Sequence, residues 1–297
     1  MIKNKIPEEL KAEIIKNKSG YRAGESLKTR NLLKELNLNT VCESALCPNR
    51  GRCFKDEVAT FMILGDRCTR ACSFCAVSRQ KPEPPDPAEI KNVAEAVSRL
   101  GLKYVVITSP TRDDLADGGA SHFGAVIKSI NRLCPQTKVE ALIPDFKGDR
   151  DALKMVFVEG LTVLSHNLET VKRLYGEVRS GADYGRSLEL IRRVHEISKE
   201  VFSKSGIMAG LGETQEEVKE LMADLRSAGC DIFTIGQYIA PSVKSHAVKE
   251  YVDKSVFEKY KVLALEMGFK AVASAPLVRS SFLAETTFNQ ILSRAAK

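Results

Sequence analysis

The chain has 297 residues, 43% of them hydrophobic and 28% charged, enough for one large core, and barrels of this length routinely form a single domain. No apolar run reaches the roughly 20 residues that cross a bilayer, and the first twenty residues, with Met1, Lys3, Lys5, Pro7, Glu8 and Glu9, contain no sustained apolar stretch. Neither an export signal nor a membrane partner is expected, and a cytoplasmic location is. The net charge of +7 is dispersed among Glu and Asp; this argues against nucleic acid and leaves an acidic macromolecular partner or a solvated surface open.

In chain order, Ser26–Leu36 has the spacing of a helix and feeds a loop bearing Cys42, Cys47 and Cys53. Short, continuously apolar runs then predict buried strands at Thr60–Leu64, Tyr104–Thr108, Val139–Ile143, Thr162–Leu164, Gly206–Ala209 and Ile232–Ile235. Amphipathic patterns between them, clearest at Pro87–Leu100, His122–Leu133, Arg186–Lys199 and Thr214–Ala228, predict helices. A helix near Ser255–Met267 and a strand at Lys270–Ser274 follow. Strands buried on both faces and alternating with helices imply an α/β fold with a parallel sheet, either open or closed. After the first strand Gly65 leads into a cysteine-bearing loop in place of a dinucleotide glycine fingerprint, which favours a barrel or partial barrel. The expected organisation is an N-terminal extension over 1–57, the barrel over 58–250 and a C-terminal extension over 251–297.

Of eight cysteines, six lie between Cys42 and Cys75. Disulfide scaffolds are normally short secreted chains, so a reduced, metal-binding use is expected. Cys68, Cys72 and Cys75 form C-x3-C-x2-C in the loop after the first strand. A structural zinc site closes with four ligands, whereas a four-iron cluster on three thiolates leaves one iron open to a cofactor. With the aromatic Phe74 before its last cysteine, this motif resembles the signature of the radical S-adenosylmethionine superfamily, whose members cleave that cofactor at the open iron to a 5′-deoxyadenosyl radical. Cys42, Cys47 and Cys53 form a second triplet, C-x4-C-x5-C. Read as one six-cysteine zinc module, the two triplets would leave two ligands without a role; read separately, they suggest two clusters.

The paired triplets resemble the lipoyl synthase family, and the similarity continues through Cys42–Asn49, Thr111–Ala120, Ser165–Thr170, Ala182–Tyr184, Lys204–Thr214, Thr234–Tyr238 and Pro276–Phe282. The resemblance implies a partial (β/α)6 TIM-like barrel and two [4Fe-4S] clusters, one of which binds S-adenosyl-L-methionine. It implies that Cys42, Cys47 and Cys53, with a serine of the terminal Arg279–Ser280–Ser281 element, taken as Ser281, hold an auxiliary cluster. Phe282 stands where the family usually has tyrosine. The implied reaction abstracts hydrogen at C6 of an octanoyl group on a carrier lysine, lets the carbon radical attack a sulfide of the auxiliary cluster, and repeats at C8 with a second S-adenosylmethionine. The implied partners are octanoylated lipoyl carrier domains, namely 2-oxoacid dehydrogenase acyltransferase subunits and the glycine cleavage H protein, together with an electron donor and an iron–sulfur carrier that rebuilds the cluster. Such carrier domains tend to be acidic, which gives the excess of Lys and Arg a possible meaning.

Barrel sites are built at the C-terminal ends of strands. Thr108, Ser109, Asn167, Glu169, Lys204, Gly210 and Gln237 lie there and offer the hydroxyl, amide and carboxylate groups that suit ribose, adenine and a methionyl amine, so they are expected, with Phe74, to contact the cofactor. Gly210–Thr214 also reads as a strand-to-helix turn capped by Thr214. Arg112, Asp113 and Asp114 are expected to brace a loop or contact the substrate lysine. His122, His166, His195 and His246 are expected to be structural, and Cys134 and Cys230 to be buried as small apolar residues. The competing readings are a biotin-synthase-like sulfur transferase and a non-catalytic iron–sulfur or zinc protein.

Overall fold

The computed structural model describes residues 5–22, 24 and 26–295; Met1 and Lys3, read above, lie outside the described residues. Two compact units are present, one of Lys11–Arg70 and Ala76–Leu164, the other of Met1–Leu10, Ala71–Cys75 and Ser165–Lys297. No helix among the described residues is long and apolar enough to cross a membrane.

Helix α1 (Glu8–Arg22) opens the described chain. In the first unit α2 (Leu27–Glu35) buries Thr29, Leu32 and Leu33. After it come β1 (Asn39–Thr40), α3 (Val41–Ser44) and α4 (Arg50–Lys55). The repeat then runs β2 (Thr60–Met62), α5 (Ala88–Leu100), β3 (Tyr104–Thr108), α6 (Ala120–Leu133), β4 (Lys138–Leu142), α7 (Arg150–Val156) and β5 (Leu161–Ser165). β2, β3 and β4 pair in parallel, Thr60 opposite Val106 and Tyr104 opposite Lys138, while β1 adds to β2 in antiparallel sense. Every residue of β2 and β3 is buried, as continuously apolar strands covered on both faces require. Val93, Val97 and Leu100 of α5 and Phe123, Ile127 and Ile130 of α6 face the core at helical spacing.

The second unit contains α8 (Tyr175–Val178), α9 (Tyr184–Ile197), β6 (Phe202–Ala209), α10 (Gln215–Ser227), β7 (Ile232–Gln237), α11 (Lys254–Glu266), β8 (Ala271–Ser274) and α12 (Ala284–Ala295). β6, β7 and β8 pair in parallel, with Lys204 opposite Ile232 and Ile232 opposite Ala271. Leu168, Ile207, Leu221, Met222, Phe233 and Phe257 belong to one buried cluster. Helix starts are fixed by side-chain caps: Asp183 accepts from Arg186 N at 2.7 Å and Asp253 from Ser255 N at 2.8 Å.

The α/β class is the one expected, and each of the six strands from β2 to β7 is followed by a helix, the repeat of a partial (β/α)6 TIM-like barrel. Most boundaries shift by one or two residues from the expectation, two strand ends have a plain physical reason, and one short strand was not expected. β2 ends two residues early because Leu64 and Gly65 adopt φ of 66° and 85° and turn the chain into the cysteine loop. β6 begins four residues early, because Ser203, Lys204 and Ser205 are buried within it although their polarity breaks the apolar run. Ser203 is satisfied there, its hydroxyl lying 3.1 Å from Asp231 Oδ2 and 3.0 Å from Gly229 O, either of which can accept its one proton. β1 has only two residues, too short for any periodicity to mark it.

Candidate functional site

In the first unit the upstream cysteines are gathered by two short helices. Thr40 caps α3 by accepting from Glu43 N, and Cys47 N returns to Cys42 O at 3.1 Å through a turn that places Leu46 at φ 51°. Asn49, buried and held by Asn17 at 3.0 Å, leads into α4, where Cys53 N donates to Asn49 O at 3.0 Å. The three thiols lie within electrostatic reach of one another. Burial, and then Cys47, pushes Cys42 up to about 12, and burial, Cys42 and Cys47 push Cys53 up as well. Among the described residues no three His, Cys, Asp or Glu side chains stand close enough to share one metal ion. Soft sulfur donors on neighbouring turns, two of them, Cys42 and Cys53, with the thiolate disfavoured, are of a chemistry that fits an iron–sulfur group, whose binding displaces thiol protons.

The loop after β2 is braced by arginines. Cys68 N donates to Ser78 O at 2.7 Å, and Arg70 N points at Cys68 Sγ at 3.4 Å. The Arg70 guanidinium forks onto two carboxylates at once, Asp113 at 2.8 and 3.0 Å and Asp145 at 2.6 and 3.0 Å. Its side chain is only 8% exposed and that of Asp145 is fully buried, the desolvated, bidentate geometry in which Arg–carboxylate pairs are strong. Arg112 likewise binds Asp114, Leu64 O and Glu83 O. Arg112, Asp113 and Asp114 therefore brace loops, one of the two roles expected of them. Thr108 donates its hydroxyl to Leu142 O at 2.9 Å, whereas Ser109 Oγ is buried without a partner.

In the second unit Cys72 and Cys75 are joined by a turn from Cys75 N to Cys72 O. Between them Ser73 donates from N to Val178 O and from Oγ to Glu177 O, while His246 N donates to Ser73 O at 2.8 Å. Phe74 packs on the apolar cluster of this unit. Arg179 stands within electrostatic reach of Cys72 and Glu169 and donates to Tyr175 Oη at 2.7 Å and Ser187 Oγ at 3.1 Å. Glu169 adopts φ 66°, held by its N–H on Gly206 O and by Met208 N on its carbonyl. Burial raises its pKa against the pull of Arg179, Asn167 and Arg279.

Asn167 donates from Nδ2 to Glu169 Oε1 at 3.0 Å and accepts at Oδ1 from Ser280 Oγ at 3.0 Å. Lys204 is buried in β6, its carbonyl taken by His166 N. Gly210, at φ 96°, lies where a β-carbon would come within 2.3 Å of both Gln237 Nε2 and Glu250 O. The Gln237 amide bonds Tyr238 O, Glu250 O and Val252 N, so it clamps backbone. Ser281 makes no hydrogen bond among the described residues. All four histidines have partners in the fold: His122 on Glu89, His166 on Ser187, His195 on Asp231 and His246 on Leu211 O. Cys230 is buried, its thiol pushed up to about 12 by burial and then by Asp231; Cys134 is half-buried at the end of α6. Arg70 and Arg179 were not singled out from the sequence, and Arg279 was named only as part of the terminal element. Arg70 carried a signal, an arginine inside the C-x3-C-x2-C motif, whereas the contacts of Arg179 and Arg279 depend on packing between distant segments.

The Radical SAM superfamily model matches residues 62–225, and that superfamily brings a [4Fe-4S] cluster and S-adenosylmethionine. A lipoyl synthase of Caldicellulosiruptor saccharolyticus is 54% identical over 287 residues, 97% of this chain and 99% of that protein. A lipoyl synthase of Geobacter metallireducens is 54% identical over 251 residues, 84% of this chain and 88% of that protein. Among solved structures, methylornithine synthase (PylB) gives a TM-score of 0.55 at 15% identity, over 74% of this chain and 72% of that one. HydG, a maturase of the [FeFe]-hydrogenase, gives 0.54 at 15% identity, over 90% and 66%. These two likenesses speak for the fold alone. The near-full-length identity decides among the sulfur-transferase and non-catalytic readings: the chain belongs to the lipoyl synthase family of radical S-adenosylmethionine enzymes.

Proposed function

We propose that Cys68, Cys72 and Cys75 hold the radical-generating [4Fe-4S] cluster, and that Cys42, Cys47 and Cys53 with Ser281 hold a second [4Fe-4S] cluster that is used up as sulfur donor. The substrate is an octanoyl group on the lysine of a lipoyl carrier domain, from 2-oxoacid dehydrogenase acyltransferase subunits or the glycine cleavage H protein, and sulfur enters at C6 and C8. An electron donor and an iron–sulfur carrier complete the cycle. The observation that supports this reading is that Cys42, Cys47 and Cys53 lie within electrostatic reach of one another, Cys42 buried and the other two half-buried, in a segment that does not include the C-x3-C-x2-C loop.

When bound, the cofactors supply a hydrogen-abstracting radical, which unactivated methylenes require and side chains cannot provide. The chain's residues fix and shield it. Arg70 and Arg112 hold the cysteine loop of the first unit through Asp113, Asp145 and Leu64 O. Ser73 and Phe74 anchor the Cys72–Cys75 turn. Glu169 offers a carboxylate to the methionyl amine, and Ser109 a hydroxyl with no other partner. Lys204 and Gly210 remain candidate contacts, while the bonding of Thr108 and Gln237 supports a bracing part for them. Ser281 is the terminal serine whose hydroxyl is free to ligate, since Ser280 is engaged by Asn167.

The test is a pair of substitutions on the anaerobically reconstituted enzyme. Cys72→Ala abolishes S-adenosylmethionine cleavage and sulfur insertion together. Cys47→Ala keeps cleavage to 5′-deoxyadenosine but adds no sulfur to an octanoylated carrier peptide by mass spectrometry, where the unmodified enzyme adds two. Loss of cleavage in both variants overturns the division of roles.

A further inference from the structure

The terminal element Pro276–Ser281 is pressed onto the end of β7. Gln237 N donates to Pro276 O at 3.0 Å, and Gly236 lies so close that a β-carbon there would stand 2.0 Å from Val278 O. From this position Ser280 reaches a residue 113 positions earlier, donating to Asn167 Oδ1 at 3.0 Å. With its oxygen engaged by that hydroxyl, the Asn167 amide presents its N–H to Glu169 Oε1 at 3.0 Å. The reverse orientation would set the amide oxygen against the carboxylate. Gly206 leaves the space this amide occupies, since a β-carbon on it would come within 3.2 Å of Asn167 Oδ1 and 2.2 Å of Thr234 Oγ1. Arg279, beside Ser280, adds a positive charge that acts on Glu169. The terminal arginine and first serine thus converge on the left-handed Glu169, 110 residues or more away in sequence.

We propose that Ser280 and Asn167 are positioning residues for S-adenosylmethionine, a hydrogen-bonded relay by which the C-terminal element fixes the Glu169 carboxylate in the orientation that receives the cofactor. The proposal rests on the reading above that Glu169 contacts the cofactor, and it separates the two neighbouring serines: Ser280 serves the cofactor and Ser281 the auxiliary cluster. Asn167 then acts through Glu169 and not as an independent contact.

Equilibrium dialysis of radiolabelled S-adenosylmethionine against the full-length reconstituted protein tests it, with the cofactor-induced change in the electron paramagnetic resonance spectrum of the reduced cluster as a second signature. A net hydrogen bond of about 0.5–1.5 kcal/mol corresponds to a factor of roughly 2–12 in affinity. Ser280→Ala is expected to weaken binding about fivefold, with iron content and thermal midpoint unchanged, and Ser280→Thr to restore it to within about twofold. Ser281→Ala, which stops sulfur insertion on the reading above, keeps the cofactor affinity. Glu169→Gln weakens binding by about tenfold or more. If Glu169→Gln weakens binding but Ser280→Ala does not, the relay is wrong and the Glu169 reading stands. Unchanged binding in Glu169→Gln removes that reading and the relay with it. Equal losses in Ser280→Ala and Ser281→Ala, or a Ser280→Ala variant that loses iron, reduce the element to a structural prop and overturn the proposal.

Discussion

A β-carbon on Gly236 has nowhere to go: it would meet the carbonyl of Val278, a backbone atom that cannot rotate away. The missing side chain lets the segment carrying Arg279, Ser280 and Ser281 lie against β7. Gly236→Ala is therefore an overpacking change in a buried strand, expected to cost about 1–3 kcal/mol and to show as a lowered urea midpoint. An unchanged midpoint would mean that the terminal segment yields freely. At this scale the cysteine triplets were legible as motifs, because their spacing is local and does not depend on the rest of the chain. Arg179 was not legible, Asn167 was legible only as a strand-end candidate for the cofactor, and Ser280 only as a member of the terminal Arg279–Ser280–Ser281 element. Their partners, Tyr175, Glu169 and Asn167 respectively, include a contact spanning 113 positions, and nothing local in a sequence encodes such a pairing.

Elements were legible where their local signals agreed. α10 is the clearest case: Thr214 accepts from Glu217 N at 3.2 Å, and the Glu217 carboxylate accepts from Thr214 N at 2.8 Å, a reciprocal box at the helix start. Arg173 then closes on Glu217 at 2.7 and 3.0 Å. Thr214→Ala is expected to cost about 1 kcal/mol, read as faster hydrogen exchange in the first turn of α10. The Arg173 hydrogen bond, followed by that of Thr214, lowers the Glu217 pKa to about 2. A carboxylate depressed on folding stabilises in full above its unfolded pKa of about 4.3 and loses that contribution as pH falls toward 2, so Glu217→Gln should flatten stability across that window. Strand edges were less legible because the signals conflict there. The polar start of β6 is hidden by Ser203 and Lys204, which are buried and bonded, and β2 is cut short by backbone angles at Leu64 that no side-chain pattern announces.

For the molecule as a whole the informative quantity is charge, because a carrier domain must present its octanoyl lysine from outside. The chain holds 45 Lys and Arg against 38 Asp and Glu. Several of its arginines are already committed within the fold, Arg70 to Asp113 and Asp145 and Arg112 to Asp114; they hold loops and their charge is neutralised at short range. If the remaining excess steers an acidic carrier, its effect is long-ranged and screened by salt, unlike a short-range hydrogen bond. Raising ionic strength from about 0.01 M to about 0.15 M shortens the screening length from about 30 Å to about 8 Å. Docking of an octanoylated carrier domain should then weaken severalfold, chiefly through a slower on-rate. A short neutral octanoyl-lysine peptide, which lacks the carrier's surface, should bind equally well at both salt concentrations. Equal salt dependence for the two ligands would place the effect in the peptide-binding site itself, and none for either would leave the net charge as solvation alone.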